Sequence, residues 1–130
     1  MIVAPDLTVA ARDCIRDGLA ALGVPAQSVS TKVPNPRPAR FITLQVFVGR
    51  KKNLRVGHVT VVALVHDAVA NEVRAGEVAR KVAAVLEAAV DTVPLVNIAT
   101  VESIVQSDDP AVAALCRFQV TATWTVAYPV

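Results

Sequence analysis

Histidine, cysteine and aromatic side chains are scarce in this 130-residue chain, which contains two histidines, two cysteines and 4% aromatic residues. His58 and His66 lie eight positions apart on one predicted strand, or roughly 26 Å at the rise of a β-strand. That separation excludes a shared zinc ion, whose ligands lie about 2 Å from the metal. Each histidine is therefore expected at an ordinary surface or boundary position, and we expect neither a metal nor a cofactor.

The two cysteines and the missing catalytic motifs argue against an enzyme. Two cysteines are too few for a disulfide scaffold, so Cys14 and Cys116 are predicted to be buried free thiols, with a single disulfide as the alternative. The sequence has no GxGxxG or P-loop signature, no HExxH and no GxSxG. Asp108 and Asp109 precede Pro110, a combination typical of turns. We interpret the protein as a non-enzyme.

Long apolar segments are absent as well. No window reaches the roughly 18 uncharged apolar residues of a membrane span, and the first residues lack the features of a signal peptide. We therefore expect a soluble protein made in the cytoplasm, with no membrane partner. The hydrophobic content is nevertheless 54%. That value is high for a soluble domain and favours a homo-oligomer, which would bury part of the apolar surface.

The hydrophobic periodicity predicts seven elements in a single domain spanning residues 1–130. They are a helix over residues 6–22, strands over 27–33, 40–48 and 56–66, a helix from 71 to about 89, and strands over 95–106 and 116–128. The order α-β-β-β-α-β-β predicts the α+β class, with a mainly antiparallel sheet packed by two helices. The strands over 40–48 and 56–66 are expected to pair as an antiparallel hairpin.

The first helix has clear start and stop signals. Asp6 is placed to cap its first turn, and Gly23 followed by Pro25 should end it. Apolar or small residues at helical spacing should form its buried stripe, with Ile15 and Leu19 beside them. The stripe residues are Leu7, Ala11, Cys14, Gly18 and Leu22.

The strands lead to more detailed expectations. Residues 59–65 are apolar on both faces, as in an interior strand that is covered on both sides. The apolar phase changes between Ile98 and Val101, which predicts a β-bulge or bend. The aromatic side chains are expected in the core rather than on a base-stacking platform, because the sheet needs an apolar face for its helices. They are Phe41, Phe47, Phe118, Trp124 and Tyr128.

Positive charge is concentrated in one part of a chain whose net charge is only +2. Every acidic residue lies at or before Asp17 or at or after Asp67, and seven of the thirteen cations lie between them. The densest part is the predicted hairpin turn GRKKNLR, residues 49–55. The candidate site residues are the four cations of this turn and three cations upstream of it. They are Arg50, Lys51, Lys52 and Arg55, together with Lys32, Arg37 and Arg40.

This basic block allows three interpretations. It is a solvated hairpin tip or charge-protected strand edge, a contact to an acidic partner, or a footprint for nucleic-acid phosphates. Neither predicted helix carries the polar residues with which a sequence-specific protein reads bases. Any contact with DNA is therefore expected to be non-specific.

The succession from residue 34 to residue 128 resembles the small tail terminator proteins of long-tailed bacteriophages. Pro38 and Arg40-Phe41 enter a strand, and a basic hairpin containing Asn53-Leu54 follows. An Ala-rich helix and a late Asp-Pro loop before the terminal strand RFQVTATWTV complete the pattern. The helix over 6–22 fits this pattern in position.

The resemblance implies a structural protein of the virion tail that is assembled in the host cytoplasm. Subunits of this kind form a homo-oligomeric ring, typically a hexamer, at the head-proximal end of the tail tube. The ring stops polymerisation of the tail tube protein and offers a surface to the head connector protein, and double-stranded DNA passes through its lumen. The 49–55 hairpin is then expected to be an assembly or lumen-facing loop. The alternatives are another neck or tail-completion protein and a small non-specific nucleic-acid-binding module.

Overall fold

The computed structural model describes residues 2–25 and 27–129, so Met1, Ala26 and Val130 of the predicted domain lie outside the described residues. The helices are α1 (Thr8–Ala21), α2 (Glu72–Glu87) and the short α3 (Ala89–Thr92), and a 3-10 turn over Val69–Asn71 leads into α2. The strands are β1 (Ser28–Ser30), β2 (Phe41–Lys51), β3 (Val56–Ala68), β4 (Val96–Gln106) and β5 (Leu115–Ala127). The predicted α+β order of helices and strands is confirmed.

The five strands form one sheet in the order β1-β2-β3-β5-β4. β2, β3, β5 and β4 pair antiparallel, and β2 and β3 form the predicted hairpin. The short β1 pairs parallel with the first three residues of β2. The remaining, distal part of β2 is therefore open at one sheet edge within the described residues, and β4 forms the other edge.

Both long helices pack on the same face of the sheet, and their contact with it forms the core. Trp124 of β5 is fully buried there, and its indole N–H donates a hydrogen bond of 3.0 Å to the carbonyl oxygen of Leu86. Gly18 of α1 lies directly against the Val85 side chain of α2, where an added Cβ would overlap the valine methyl groups. This close approach holds the two helices together as one layer.

The end of α1 follows the predicted signals, whereas its start is shifted, because Leu7 and not Asp6 occupies the N-cap position. The Asp6 carboxylate accepts a 3.0 Å hydrogen bond from the backbone N–H of Thr8, and the helix begins at Thr8. Gly23 takes a positive φ of 75°, while the N–H groups of Gly23 and Val24 donate to the carbonyls of Ala20 and Leu19. Such bonds satisfy carbonyls that the helix end would otherwise leave open.

The buried stripe of α1 differs from the prediction. Leu7, Ala11, Ile15 and Leu19 are buried, whereas Cys14 and Gly18 lie half-buried at the contact with α2. Leu22, predicted as buried, has 48% of its surface exposed. The buried residues are four positions apart and face the sheet. Cys14 and Gly18 lie on the side of α1 that contacts Val85 of α2.

Two expectations for the sheet were wrong for the same reason: that β3 is covered on both faces, and that Phe47 lies in the core. The alternate residues of β3 that do not face the helices are half-exposed, and Phe47 of β2 is 50% exposed. Both helices cover one face, so within the described residues most of the second face is open, and only its end at Phe41 and His66 is buried. In β4 the register shifts between Val96 and Ile98 and again between Val101 and Ser103, so irregularities flank the predicted bulge position.

Candidate functional site

The basic turn predicted from the sequence forms an ordered tip between β2 and β3. The side-chain oxygen of Asn53 accepts hydrogen bonds from the backbone N–H groups of Arg55 and Val56, at 2.9 and 3.0 Å. Lys52 and Asn53 both donate their N–H groups to the carbonyl oxygen of Val56. One extra residue of β2 is accommodated between Val48 and Lys51. These bonds fix the backbone of the tip before any partner arrives.

The four cations of the hairpin project into solvent. In the described part of the chain, none of Arg50, Lys51, Lys52 and Arg55 lies within ion-pair distance of a carboxylate. The Lys51 ammonium lies 5.4 Å from the centre of the Tyr128 ring, a cation–π distance. Arg50, Lys51 and Lys52 line an open depression of about 300 Å³ together with His58. The hairpin thus offers unmatched positive charge on a fixed backbone.

The three upstream cations have different surroundings from the hairpin. Lys32 and Arg37 are exposed in the segment between β1 and β2. Arg40 is only 21% exposed in its side chain, and its Nε lies 3.4 Å from a carboxylate oxygen of Asp67. Its charge is therefore matched within the subunit, which separates Arg40 from the free cations of the hairpin.

Asp67 is the centre of an ion-pair cluster that the sequence did not indicate. Its side chain is 2% exposed and accepts two hydrogen bonds from Arg74 and one from the N–H of Ala68. Burial opposes ionisation of Asp67, but these hydrogen bonds and the charges of Arg74 and Arg40 outweigh it and hold the pKa below its usual range. Asp67 lies at the end of β3. The cluster therefore joins this strand end to the start of α2 through Arg74 and to the segment before β2 through Arg40. The only signal in the sequence was an acid at the end of a predicted strand.

His66 is buried, which corrects its expected surface or boundary position. Its ring stacks on Phe41 with centroids 4.2 Å apart and an interplanar angle of 11°. Its Nε2 lies 3.3 Å from the Thr43 hydroxyl oxygen. Burial lowers its pKa to about 4, with support from the positive charges of Arg117 and Arg37 and a smaller opposing effect of Asp109. The imidazole is therefore neutral at physiological pH and acts as a core aromatic ring.

The thiols of Cys14 and Cys116 are free, as predicted. Burial raises the pKa of both. A thiol with a raised pKa is a poor nucleophile because little thiolate is present at neutral pH. The described residues contain no group of three or more His, Cys, Asp or Glu side chains placed to hold a metal ion.

The open face of the sheet carries no acid, lysine or arginine along most of its length. Directly paired residues point to the same face, so the strand register identifies its members. They are Thr43, Gln45 and Phe47 of β2; His58, Thr60, Val62 and Leu64 of β3; Gln119, Thr121, Thr123 and Thr125 of β5; and Ile98, Thr100, Ser103 and Val105 of β4. All except Thr43 are half-buried or exposed. Depletion of charge is typical of the central part of protein–protein interfaces.

A second open feature is an apolar groove on the helix layer. It lies between the C-terminal half of α1 and the end of α2, has a volume of about 390 Å³, and is lined mostly by small or aliphatic side chains. The main lining residues are Gly18, Ala21, Leu22, Ala84, Val85 and Ala88. In residues 2–25 and 27–129, every helix is too short or too polar to traverse a lipid bilayer.

Comparison with known proteins gives a likeness of fold. No family model and no curated protein matches the sequence. A chain in the solved structure of the virion of a native gene transfer agent particle is similar, with a TM-score of 0.70. The superposition covers 93% of this chain and 94% of that chain, at 18% sequence identity. The two chains therefore share their architecture over nearly their full lengths.

Proposed function

We propose that this chain is a structural virion subunit that forms a ring at the head-proximal end of a phage-type tail tube. In this role the ring ends polymerisation of the tail tube protein and joins the tail to the head connector, and DNA passes through its lumen. The observation that carries the proposal is the shared fold, over nearly both chains, with a component of a gene transfer agent virion.

The open surfaces of the subunit support assembly as its task. Most of the open sheet face carries no acid, lysine or arginine, a composition that suits contact with another protein. Apolar side chains are exposed at both open sheet edges, namely Phe47 and Val48 on β2 and Ile98 and Val105 on β4. These surfaces lie in different places on the subunit, as the head-to-tail contacts of a closed ring require.

Imaging of the purified protein by negative-stain electron microscopy across a concentration series tests the proposal. At physiological salt we expect closed rings with a hole wide enough for duplex DNA, either alone or after addition of purified tail tubes. Tubes incubated with the protein should carry a cap at one end and stop growing. Absence of rings and of caps under both conditions would contradict the proposal.

A second candidate function is non-specific binding of nucleic acid, which the four hairpin cations favour, since none of them forms an ion pair in the described part of the chain. Such a module would bind DNA as an isolated subunit, with an affinity that falls steeply as salt rises.

The alternative of another neck or tail-completion protein is distinguished by the partner that the chain binds. Capture by purified tail tubes favours the terminator role, whereas capture by the head connector alone favours the other.

A further inference from the structure

The tip of the basic hairpin carries an apolar side chain that the subunit does not cover. Leu54 is 63% exposed and lies within the run of four cations. The side-chain oxygen of Asn53 accepts hydrogen bonds from the backbone N–H groups of Arg55 and Val56, and these bonds fix the backbone around Leu54. A rigid tip loses little conformational freedom when it binds, which favours affinity. The hairpin therefore has the form of an anchor: an ordered apolar tip surrounded by positive charge.

The groove between α1 and α2 has the complementary form. Its floor is apolar, and the small side chains of Gly18, Ala84 and Ala88 keep it open to about 390 Å³. The hairpin of the same subunit does not line it. An aliphatic side chain of a partner would thus find an apolar site that is already formed.

Negative charge borders this groove. Asp17 belongs to its lining and has 74% of its side chain exposed, although the Arg16 guanidinium lies 3.4 Å away. Glu87 and Asp91 are exposed and directly precede the lining residues Ala88 and Thr92 in the sequence. In the described part of the chain neither of these two acids forms an ion pair. The groove thus pairs an apolar floor with an acidic border, and the hairpin pairs an apolar tip with basic flanks.

We propose that the α1–α2 groove of one subunit receives the Leu54 hairpin of a second copy of this chain. This inference rests on the proposed ring, in which the contact joins neighbouring subunits. Leu54 lies in the groove, and the flanking cations face Asp17, Glu87 and Asp91 at its border. Because tip and groove are different surfaces, the contact is head-to-tail, and every subunit gives one hairpin and receives another.

The native Cys14 thiol, which lies at one end of the groove, provides a direct test. In the Leu54→Cys variant, a mild oxidant at alkaline pH, which supplies thiolate despite the raised pKa of Cys14, should produce a disulfide between Cys14 of one copy and the new thiol of the next, identified by peptide mapping. The Cys14→Ser change should remove this cross-link. Val73→Cys serves as the matched control, because Val73 is 85% exposed at the start of α2, away from the groove lining, and should give no link to Cys14.

Self-association gives a second readout. Leu54→Ala should weaken it by about 10- to 100-fold, the range expected when a buried leucine side chain is truncated, while Val73→Ala leaves it unchanged. Lys51→Glu should weaken it as well, and Asp91→Lys added to Lys51→Glu should restore part of the loss. Sedimentation measurements over a concentration series report both effects.

Three results would overturn the docking contact. They are rings in which only links between two position-54 thiols form, full self-association of Leu54→Ala, and full self-association of Lys51→Glu. The first result would contradict the docking contact and still support the proposed ring, which would then assemble through other surfaces. Conversely, cross-linked head-to-tail oligomers that never cap a tail tube would support the contact and contradict the terminator role.

Discussion

Asp67 and Arg74 form a bidentate ion pair: Nε of Arg74 lies 2.9 Å from one carboxylate oxygen and Nη2 lies 2.8 Å from the other. The carboxylate is almost completely buried, while the Arg74 side chain is 44% exposed. Arg40 approaches the same carboxylate from the segment before β2. One acid thereby connects the end of β3 and the start of α2 with the segment before β2, which lies 27 positions earlier in the sequence.

Replacement of Asp67 by asparagine should lower the free energy of unfolding at pH 7 by about 2–3 kcal/mol, because charge-assisted hydrogen bonds to both arginines are weakened. Trp124 is the only tryptophan and is fully buried, so its fluorescence in a urea titration reports unfolding directly. Glu77→Gln is the matched control. Glu77 pairs with Lys81 at the surface, 3.7 Å apart, and its loss should change stability by less than about 1 kcal/mol.

The same variant should change the acid sensitivity of the fold. The pKa of Asp67 is depressed in the folded state, so its stabilisation is present above the unfolded pKa of about 3.9 and is lost as pH falls through the folded value. Wild-type protein should therefore lose stability faster than Asp67→Asn below about pH 4. Equal slopes for the two proteins in this range would contradict the assigned role of the carboxylate.

His66 should make the fold sensitive to pH in a higher window. Its folded pKa of about 4 lies below the unfolded value of about 6.5, so the unfolded chain binds the additional proton between these values. The free energy of unfolding should fall as pH drops from 6.5 towards 4, by an amount on the order of 3 kcal/mol. His66→Phe keeps an aromatic ring against Phe41 and should flatten this part of the profile. A slope that survives the substitution would assign the effect to other groups.

Reversal of charge in the hairpin should separate assembly from folding. Arg50, Lys51 and Lys52 are exposed, so their replacement by glutamate should leave the melting temperature within a few degrees of wild type while ring formation or tube capping is impaired. Lys51→Glu with Lys52→Glu can be compared with Lys32→Glu with Arg37→Glu, which changes the net charge equally in another exposed segment. Normal assembly of the hairpin variants would leave the loop as a solvated tip.

Two glycines should respond oppositely to alanine. A Cβ at Gly57 of β3 would overlap the Tyr128 hydroxyl group, so Gly57→Ala should destabilise the fold by about 1–3 kcal/mol. A Cβ at Gly76 of α2 meets Phe118 at an ordinary 3.4 Å, so Gly76→Ala should stabilise the helix by about 0.5–1 kcal/mol. Thermal denaturation of both variants checks the pair. Similar shifts of one sign would contradict these local environments.

The sequence predicted best where a single face of one element decides the pattern. In β5 the residues Val120, Ala122, Trp124 and Val126 alternate with polar residues, and all four are buried as expected. It predicted least where distant elements meet. The stacking of His66 on Phe41 and the Asp67 cluster depend on the register of β2 with β3 and on the position of α2, which local periodicity does not encode.

The candidate site shows the same division. The hairpin and its cations are contiguous in sequence and were identified there, whereas the hydrogen bonds by which Asn53 orders the turn were found only in the structure. The groove joins residues of α1 and α2 that are some 70 positions apart, and Leu22 was assigned to the core although it lines the groove. The open sheet face was missed because apolar residues on both sides of β3 are equally typical of a covered strand.

In the proposed head-to-tail ring, the location of the basic tip and the apolar groove on separate parts of the subunit has a consequence for assembly. A growing arc of subunits always has one unused tip and one unused groove, so each addition moves the two reactive ends without removing them. The final contact joins two ends of the same particle, whose effective concentration is fixed by the arc and not by the solution. Closed rings should therefore persist on dilution to concentrations at which open arcs fall apart.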